Sequence, residues 1–241
     1  PELSVGMEEN MQAKRWLKRV GWLLLVLVSL ALIFNQQIKY YLVGSYRPTI
    51  TKTLVQKNQQ KQVNQKDFDF SQTKDLNFQA VAKARANKQA VNIIGEISIP
   101  AIKMTIPIAT GVSNTTLALA AGTMRPDQQM GQGNYALAGH NMAHGSKILF
   151  SPLYYHAKVG QKVYLTDMKH VYTYRIYERK FILATRVDVV NDTPEKILTL
   201  ITCDATGANP LMVRAKYEGK VAFDQAPKHV QQALSSKYTN K

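Results

Sequence analysis

Cys203 is the sole cysteine of the chain and closes the run Thr199-Leu200-Ile201-Thr202-Cys203. With no second thiol there is no internal disulfide for it to make. Outside a cell a lone thiol is an oxidation liability, so its presence points to chemistry rather than packing. The plainer alternative is a small buried hydrophobe at the end of a strand. A nucleophilic sulfur must become a thiolate, and a neighbouring imidazolium lowers the thiol pKa from about 8.5. The chain has 5 histidines. His170 falls in an expected hairpin turn, Asp167-Met168-Lys169-His170, and His229 in a polar C-terminal stretch, so both are expected in solvent. His156 follows Tyr154-Tyr155 and reads as a packing residue. His140 ends an apolar strand after Ala138-Gly139, where glycine permits close approach of a substrate. It is the favoured partner of Cys203, with His144 as the alternative. His140 and His144 also have the spacing of two metal ligands on a helix. Gly139 and Gly145 bracket them, which argues for a loop, and no third ligand stands nearby, so no metal site is expected. A cation that holds a developing oxyanion is the third requirement. Arg214 is the first arginine after Cys203 and would be brought back by a hairpin through the turn-rich segment 204–210; otherwise it is an ordinary surface arginine.

These residues need a scaffold and an address. The segment from Val20 to Phe34 carries no charge, Lys14, Arg15, Lys18 and Arg19 precede it, and Trp22, Tyr40 and Tyr41 suit the interface. Residues 1–19 are read as cytoplasmic and 20–38 as a transmembrane signal anchor, which leaves the rest outside. A cleaved signal peptide, with the small-x-small triplet Ser29-Leu30-Ala31, competes and gives the same location. Residues 39–91 read as a polar stalk, partly helical, with an amphipathic helix over 76–91. Residues 92–223 read as the folded domain and 224–241 as a polar tail. The formal charge is +15 over 241 residues. There is no aromatic-basic interleaving, no helix-turn-helix pattern and no zinc spacing, so nucleic acid is not the expected partner. Lipid headgroups and wall polymers are the expected anions.

The domain reads as short strands: 93–99, ending at Pro100; 102–108; 135–138; 162–165; 171–183; 187–190; 197–202; and 211–213. A short capped helix is expected after Ser113, closed by Gly122, and an irregular turn over 149–155. Many short strands with few helices argue for an antiparallel β-barrel or sandwich.

In sum the chain resembles the class A sortases, the housekeeping cysteine transpeptidases of Gram-positive bacteria. Thr199-Leu200-Ile201-Thr202-Cys203 fits the family's T-L-x-T-C signature. Ala138-Gly139-His140, Ala121-Gly122-Thr123-Met124, Gly95-Glu96-Ile97-Ser98-Ile99-Pro100 and Ile106-Pro107-Ile108 follow in the expected order. The resemblance covers roughly residues 92–223 and the N-terminal anchor. It implies an eight-stranded, mostly β barrel behind a membrane helix, in a single-pass protein of a Gram-positive cell membrane. It implies cleavage of an LPxTG-type sorting signal between Thr and Gly, and transfer of the surface protein through a thioester to an amine of the peptidoglycan precursor lipid II. Cys203 would be the nucleophile, His140 the general acid and base, and Arg214 the holder of the oxyanion. Ala138, Ile201 and Thr202 would line the peptide groove, and residues 187–194 would form the loop that cradles its Leu-Pro end. No cofactor is implied, and too few carboxylates stand near residues 102–105 and 187–194 for a tight calcium site.

One departure stands out. In many class A sequences the catalytic arginine begins the last strand. Here Pro210 precedes Leu211-Met212-Val213 and Arg214 follows them, so either the loop is longer and Arg214 serves, or proline holds the arginine position. Competing readings are a pilin-polymerising sortase, which usually carries a second C-terminal span that is not seen in 220–241, and a catalytically silent, membrane-tethered wall-binding domain. An L,D-transpeptidase would need a glycine-rich approach to the cysteine, where Thr202 stands.

Overall fold

In the computed structural model, residues 2–62, 64–70, 76–88, 91–142, 147–203 and 210–235 are described, with side chains from Lys14 onward. His144, the segment 204–209 and residues 236–241 lie outside them.

The chain divides into residues 1–39 and 40–241. The first contains α1, Glu2–Ile33. Its part Lys14–Ile33, 20 residues, is long and apolar enough to cross a membrane. This stretch begins earlier than the expected 20–38, because Lys14 to Arg19 continue the helix and α1 stops at Ile33. Leu23, Leu24, Leu25 and Leu27 are all exposed, as suits a helix whose solvent is lipid. A second helix, α2, spans Asn35–Gly44.

Eight strands close into a barrel in the order β1-β2-β3-β4-β7-β8-β6-β5. They are β1 Ile93–Ile99, β2 Met104–Ala109, β3 Ala121–Thr123, β4 Asn134–Ala138, β5 Lys162–Thr166, β6 His170–Phe181, β7 Ile197–Thr202 and β8 Leu211–Ala222. Most pairs are antiparallel, but β2–β3 and β4–β7 run parallel. Side chains alternate between the two faces of each strand. Tyr135 and Leu137 of β4, Leu198 and Leu200 of β7, and Leu211, Val213 and Ala215 of β8 fill the interior. β7 is buried on both faces, which is why it reads as an apolar run without alternation.

Several local expectations shift. β8 runs to Ala222 rather than stopping at 213, since the alternation of Leu211 to Ala215 continues against the whole of β6. α5, Asn114–Leu117, is capped by the Ser113 hydroxyl, which accepts from Thr116 N. Gly122 does not close it but lies inside β3. Ser151–His156, expected as a turn, forms α6, with Pro152 in its first turn where a missing N–H costs nothing.

Residues 40–91 are not a free stalk. α3, Lys52–Gln59, and α4, Phe78–Ala86, pack on the barrel. Val55, Val81 and Ala84 are fully buried, and buried Asn58 donates from Nδ2 to Ile93 O at 2.8 Å. The reason is a thin apolar stripe that the Gln and Lys around it conceal. One cluster joins Val43 of α2 and Val81 of α4 to Met142, Ile148 and Leu149, so these three residues after His140 rest on α2 and α4. Leu149 holds φ at 51°, a left-handed conformation that costs leucine about 1–3 kcal/mol and persists where packing enforces it. The expected polar tail also folds, in part: α7, Lys228–Ser235, buries Val230 and Leu234, spaced one turn apart, against Tyr164 and Val171.

Under α7 the outer face of β1 is polar. Ser98 Oγ and Thr105 Oγ1 pair at 2.8 Å, and Thr105 donates to Ala233 O. Two residues from Ser98 on that face, Glu96 is 3% exposed, and its Oε1 has no hydrogen-bond partner among the described residues. Burial pushes its carboxyl up to about 9 from 4.5. The folded state therefore holds a proton that the unfolded chain releases between those values, and stability falls as pH rises through that window. Glu96→Gln is expected to stabilise the protein by at least about 1 kcal/mol at pH 8, with the gain vanishing toward pH 4.5. Thermal unfolding of both proteins across pH 4.5–9 checks this; a gain independent of pH contradicts it.

Candidate active site

The site is built by strand register. β4 and β7 pair in parallel from Asn134↔Ile197 to Ala138↔Ile201. Gly139 N donates to Ile201 O at 3.1 Å, which carries the ladder past the end of β4. Continued two residues past the ends of β4 and β7, the same register would bring His140 alongside Cys203. β7 and β8 pair antiparallel, with Thr202↔Leu211, Ile201↔Met212 and Thr199↔Arg214. One step beyond Leu211, Pro210 stands opposite Cys203.

Three rows follow on the outer face: His140, Cys203 and Pro210; then Ala138, Ile201 and Met212; then Ala136, Thr199 and Arg214. His140 and Cys203 are half-buried at the barrel rim. Gly139 fits there because the Phe150 ring lies against it: a Cβ would stand 2.7 Å from two ring carbons. The glycine thus admits an internal ring rather than a substrate. Phe150 N donates to His140 O at 3.0 Å, so the ring and the histidine backbone are fixed together.

Of the remaining expected residues, Ala138 and Ile201 share the outer face with Cys203 and are nearly covered. Ile201 and Met212 cluster with Val189, while Met124, Ile182 and Val190 pack around them. Thr202 does not join them. It pairs with Leu211, an interior residue, and is 1% exposed, so alternation turns it away from the groove face. Arg214 lies four residues along β8 from Pro210, about 13 Å at the rise of a strand. Its Nη2 donates to Val189 O at 3.2 Å. His156, His170 and His229 sit at the end of α6, the start of β6 and in α7. His170 Nδ1 lies 3.6 Å from Asp167 Oδ2.

The segment 187–192 is clamped to β4 by residues that sequence reasoning passed over. Buried Asn134 donates from Nδ2 to Val189 O at 3.0 Å and to Asn191 O at 2.8 Å, while its Oδ1 accepts from Thr199 Oγ1 at 2.7 Å. Arg125 donates from Nη1 to Asn134 O and Val190 O, and from Nη2 to Asp192 Oδ1. Asp192 Oδ1 also accepts from Asn134 N at 3.0 Å. That backbone bond first, then the one from Thr193 and the Arg125 charge, hold the Asp192 carboxyl below its usual range. Gly133, at φ +44°, is demanded by the same contact, since a Cβ would stand 2.0 Å from Asp192 Oδ1. The available signal was Gly131-Gln132-Gly133-Asn134, a turn run that ends on a polar residue just before an apolar strand. Leu183 and Val187 in the connection between β6 and β7 are 73% and 74% exposed.

Comparison with known proteins gives the family. A profile described as "Sortase domain" matches residues 97–218. Sortase A of Streptococcus agalactiae serotype III is 38% identical over 235 residues, 93% of this chain and 92% of that protein. Sortase A of Listeria monocytogenes is 36% identical over 190 residues, 78% of this chain and 85% of that one. A crystal structure of Listeria monocytogenes sortase A, at 33% identity, superposes with a TM-score of 0.55 over 60% of this chain and 99% of its own. A lone cysteine just past β7, a histidine just past β4, which is the parallel neighbour of β7, and a family match across the barrel leave one assignment: the chain belongs to the sortases, the cysteine transpeptidases of Gram-positive cell walls, and is of the class A kind.

Proposed function

We propose that Cys203 and His140 carry out transpeptidation on LPxTG-type sorting signals, cleaving between Thr and Gly and passing the new acyl group to an amine of a peptidoglycan precursor, lipid II. The observation that supports this reading is the parallel β4–β7 register up to Ala138↔Ile201, whose extension by two residues would put His140 and Cys203 side by side on one face. The Cys203 thiolate attacks the threonine carbonyl. The imidazolium of His140 gives its proton to the departing glycine amine, and a thioester remains on sulfur. The incoming amine attacks that thioester, neutral His140 takes its proton, and the thiolate leaves. The exposed Leu183 and Val187 suit the Leu-Pro end of the signal, over a row of Ala138, Ile201 and Met212 that is already covered. The peptide would displace none of the clamp of Asn134, Arg125 and Asp192.

The arginine role is the point of departure. The residue opposite Cys203 is Pro210, which offers neither charge nor N–H, and the segment 204–209 contains no Lys or Arg. Arg214 would act through the loop, holding Val189 in place rather than touching the oxyanion. With Pro210 in the arginine position, reduced turnover is expected, and the same proline favours the second reading, a catalytically silent wall-binding domain. The basic cluster before α1's apolar stretch supports a single-pass protein with the barrel outside the cell membrane.

Cys203→Ala is expected to abolish both LPxTG peptide cleavage and the thioester seen by mass spectrometry, and His140→Gln to lower kcat/KM by about 10²–10⁴-fold. A wild-type chain that never acylates selects the silent domain. Pro210→Arg should raise kcat by about 10²-fold, while Arg214→Ala should raise KM more than it lowers kcat; the reverse pattern in steady-state kinetics returns Arg214 to the oxyanion. Leu149→Ala should destabilise by about 2–5 kcal/mol and also lower kcat, because the loop after His140 loses its seat on Val43 and Val81; thermal unfolding and kinetics on one preparation test both.

A further inference from the structure

Away from the rim, the turn after α2, together with α3 and α4, walls a cleft of ≈ 700 Å³. Five cations line it: Arg47, Lys57, Lys61, Arg85 and Lys88, with no Asp or Glu among the lining residues. The ion pairs of the described residues engage Arg125, Arg175, Lys180, Arg186 and His170, and none of these five. Like charges converge on this one hollow, and their repulsion is relieved by an anion. Part of the wall is already rigid. Arg85 is half-buried, stands 5.7 Å over the Tyr46 ring, and donates from Nη2 to Ser45 Oγ at 3.4 Å. Tyr46 is 5% exposed, so the guanidinium is held by a fixed platform.

We propose that this cleft binds the phosphate of an anionic phospholipid headgroup. Two observations choose lipid over a wall polymer, which carries the same phosphodiester. The wall of the cleft starts at Ser45, directly after α2, a helix of 10 residues and so about 15 Å long, and α2 follows the membrane-crossing stretch of α1. That short covalent path limits how far the cleft can be from the bilayer, whereas among the described residues no element ties it to the wall. Pro48 and Leu54 also line it, and they offer apolar surface to the glycerol and first methylenes beside the phosphate. Basic residues just beyond a membrane helix are attracted to anionic lipid in this way; here they form a pocket rather than a disordered tail.

The test uses the full chain in neutral detergent micelles and isothermal titration with dioctanoyl phosphatidylglycerol, dioctanoyl phosphatidylcholine, inorganic phosphate and poly(glycerol phosphate). Phosphatidylglycerol should bind and phosphatidylcholine should not. Lys57→Gln with Lys61→Gln, both exposed and so harmless to the core, should weaken binding at least tenfold, as should Arg85→Gln. Lys216→Gln with Lys220→Gln, an equal loss of charge on β8, should leave affinity within twofold. All variants should retain the parent's unfolding temperature within a few degrees. If the β8 pair weakens binding as much as the cleft pair, attraction is general and the site does not exist. If the cleft variants bind like the parent, or if inorganic phosphate or poly(glycerol phosphate) binds through the same residues as tightly as the lipid, the lipid assignment is overturned.

Discussion

The parallel pairing of β4 with β7 is the constraint on which the site depends. Parallel strands need a long crossover, and here α6, β5 and β6 intervene between the two. A slip of one residue in that pairing would send every side chain of β7 to the opposite face, taking Cys203 from the groove into the barrel end. The slip is prevented from within, because Leu198 and Leu200 would leave the core for solvent. The same hydrophobic burial that closes the barrel therefore sets which residues of β4 and β7 stand side by side. The catalytic geometry proposed above would be a by-product of core packing, sharpened by one backbone bond from Gly139 to Ile201.

Around that pairing the chain spends many residues on holding loops. The connection ahead of β7 is fastened by Asn134, Arg125 and Asp192 through side-chain-to-backbone bonds. Satisfied networks of this kind fix one conformation, since any partial release leaves a buried polar group without a partner. The connection after His140 is held differently, by apolar contact with Val43 and Val81 from outside the barrel. One flank of the groove is thus sewn by polar bonds and the other propped by Val43 of α2 and Val81 of α4. Exposed apolar side chains between them are a feature of a surface that awaits a peptide.

Some of this was legible in the residues alone and some was not. Cys203 could be singled out because its signal is local, one thiol at the end of an apolar run. His140 could be favoured because an apolar strand and a glycine lead into it. Which residue stands opposite Cys203 could not be read, because Pro210 and Arg214 differ only by pairing register, a non-local property. The stalk and the tail read as polar because composition averages over a helix, while Val81 and Ala84, or Val230 and Leu234, need just one face. Thr202 was placed in the groove by its neighbourhood in sequence; alternation along β7 separates it from Ile201 and Cys203 in space. Asn134 was missed because a buried amide clamping a distant loop has no short-range signature.

The Phe150 ring resting on bare Gly139 has a consequence for how this barrel can change over evolutionary time. The two positions share one volume, so neither can drift alone. A methyl group gained at 139 must be matched by a slimmer side chain at 150, or the strand end carrying the imidazole lifts away from its neighbour. Descendants of this chain should therefore alter the two positions as a couple or leave both untouched.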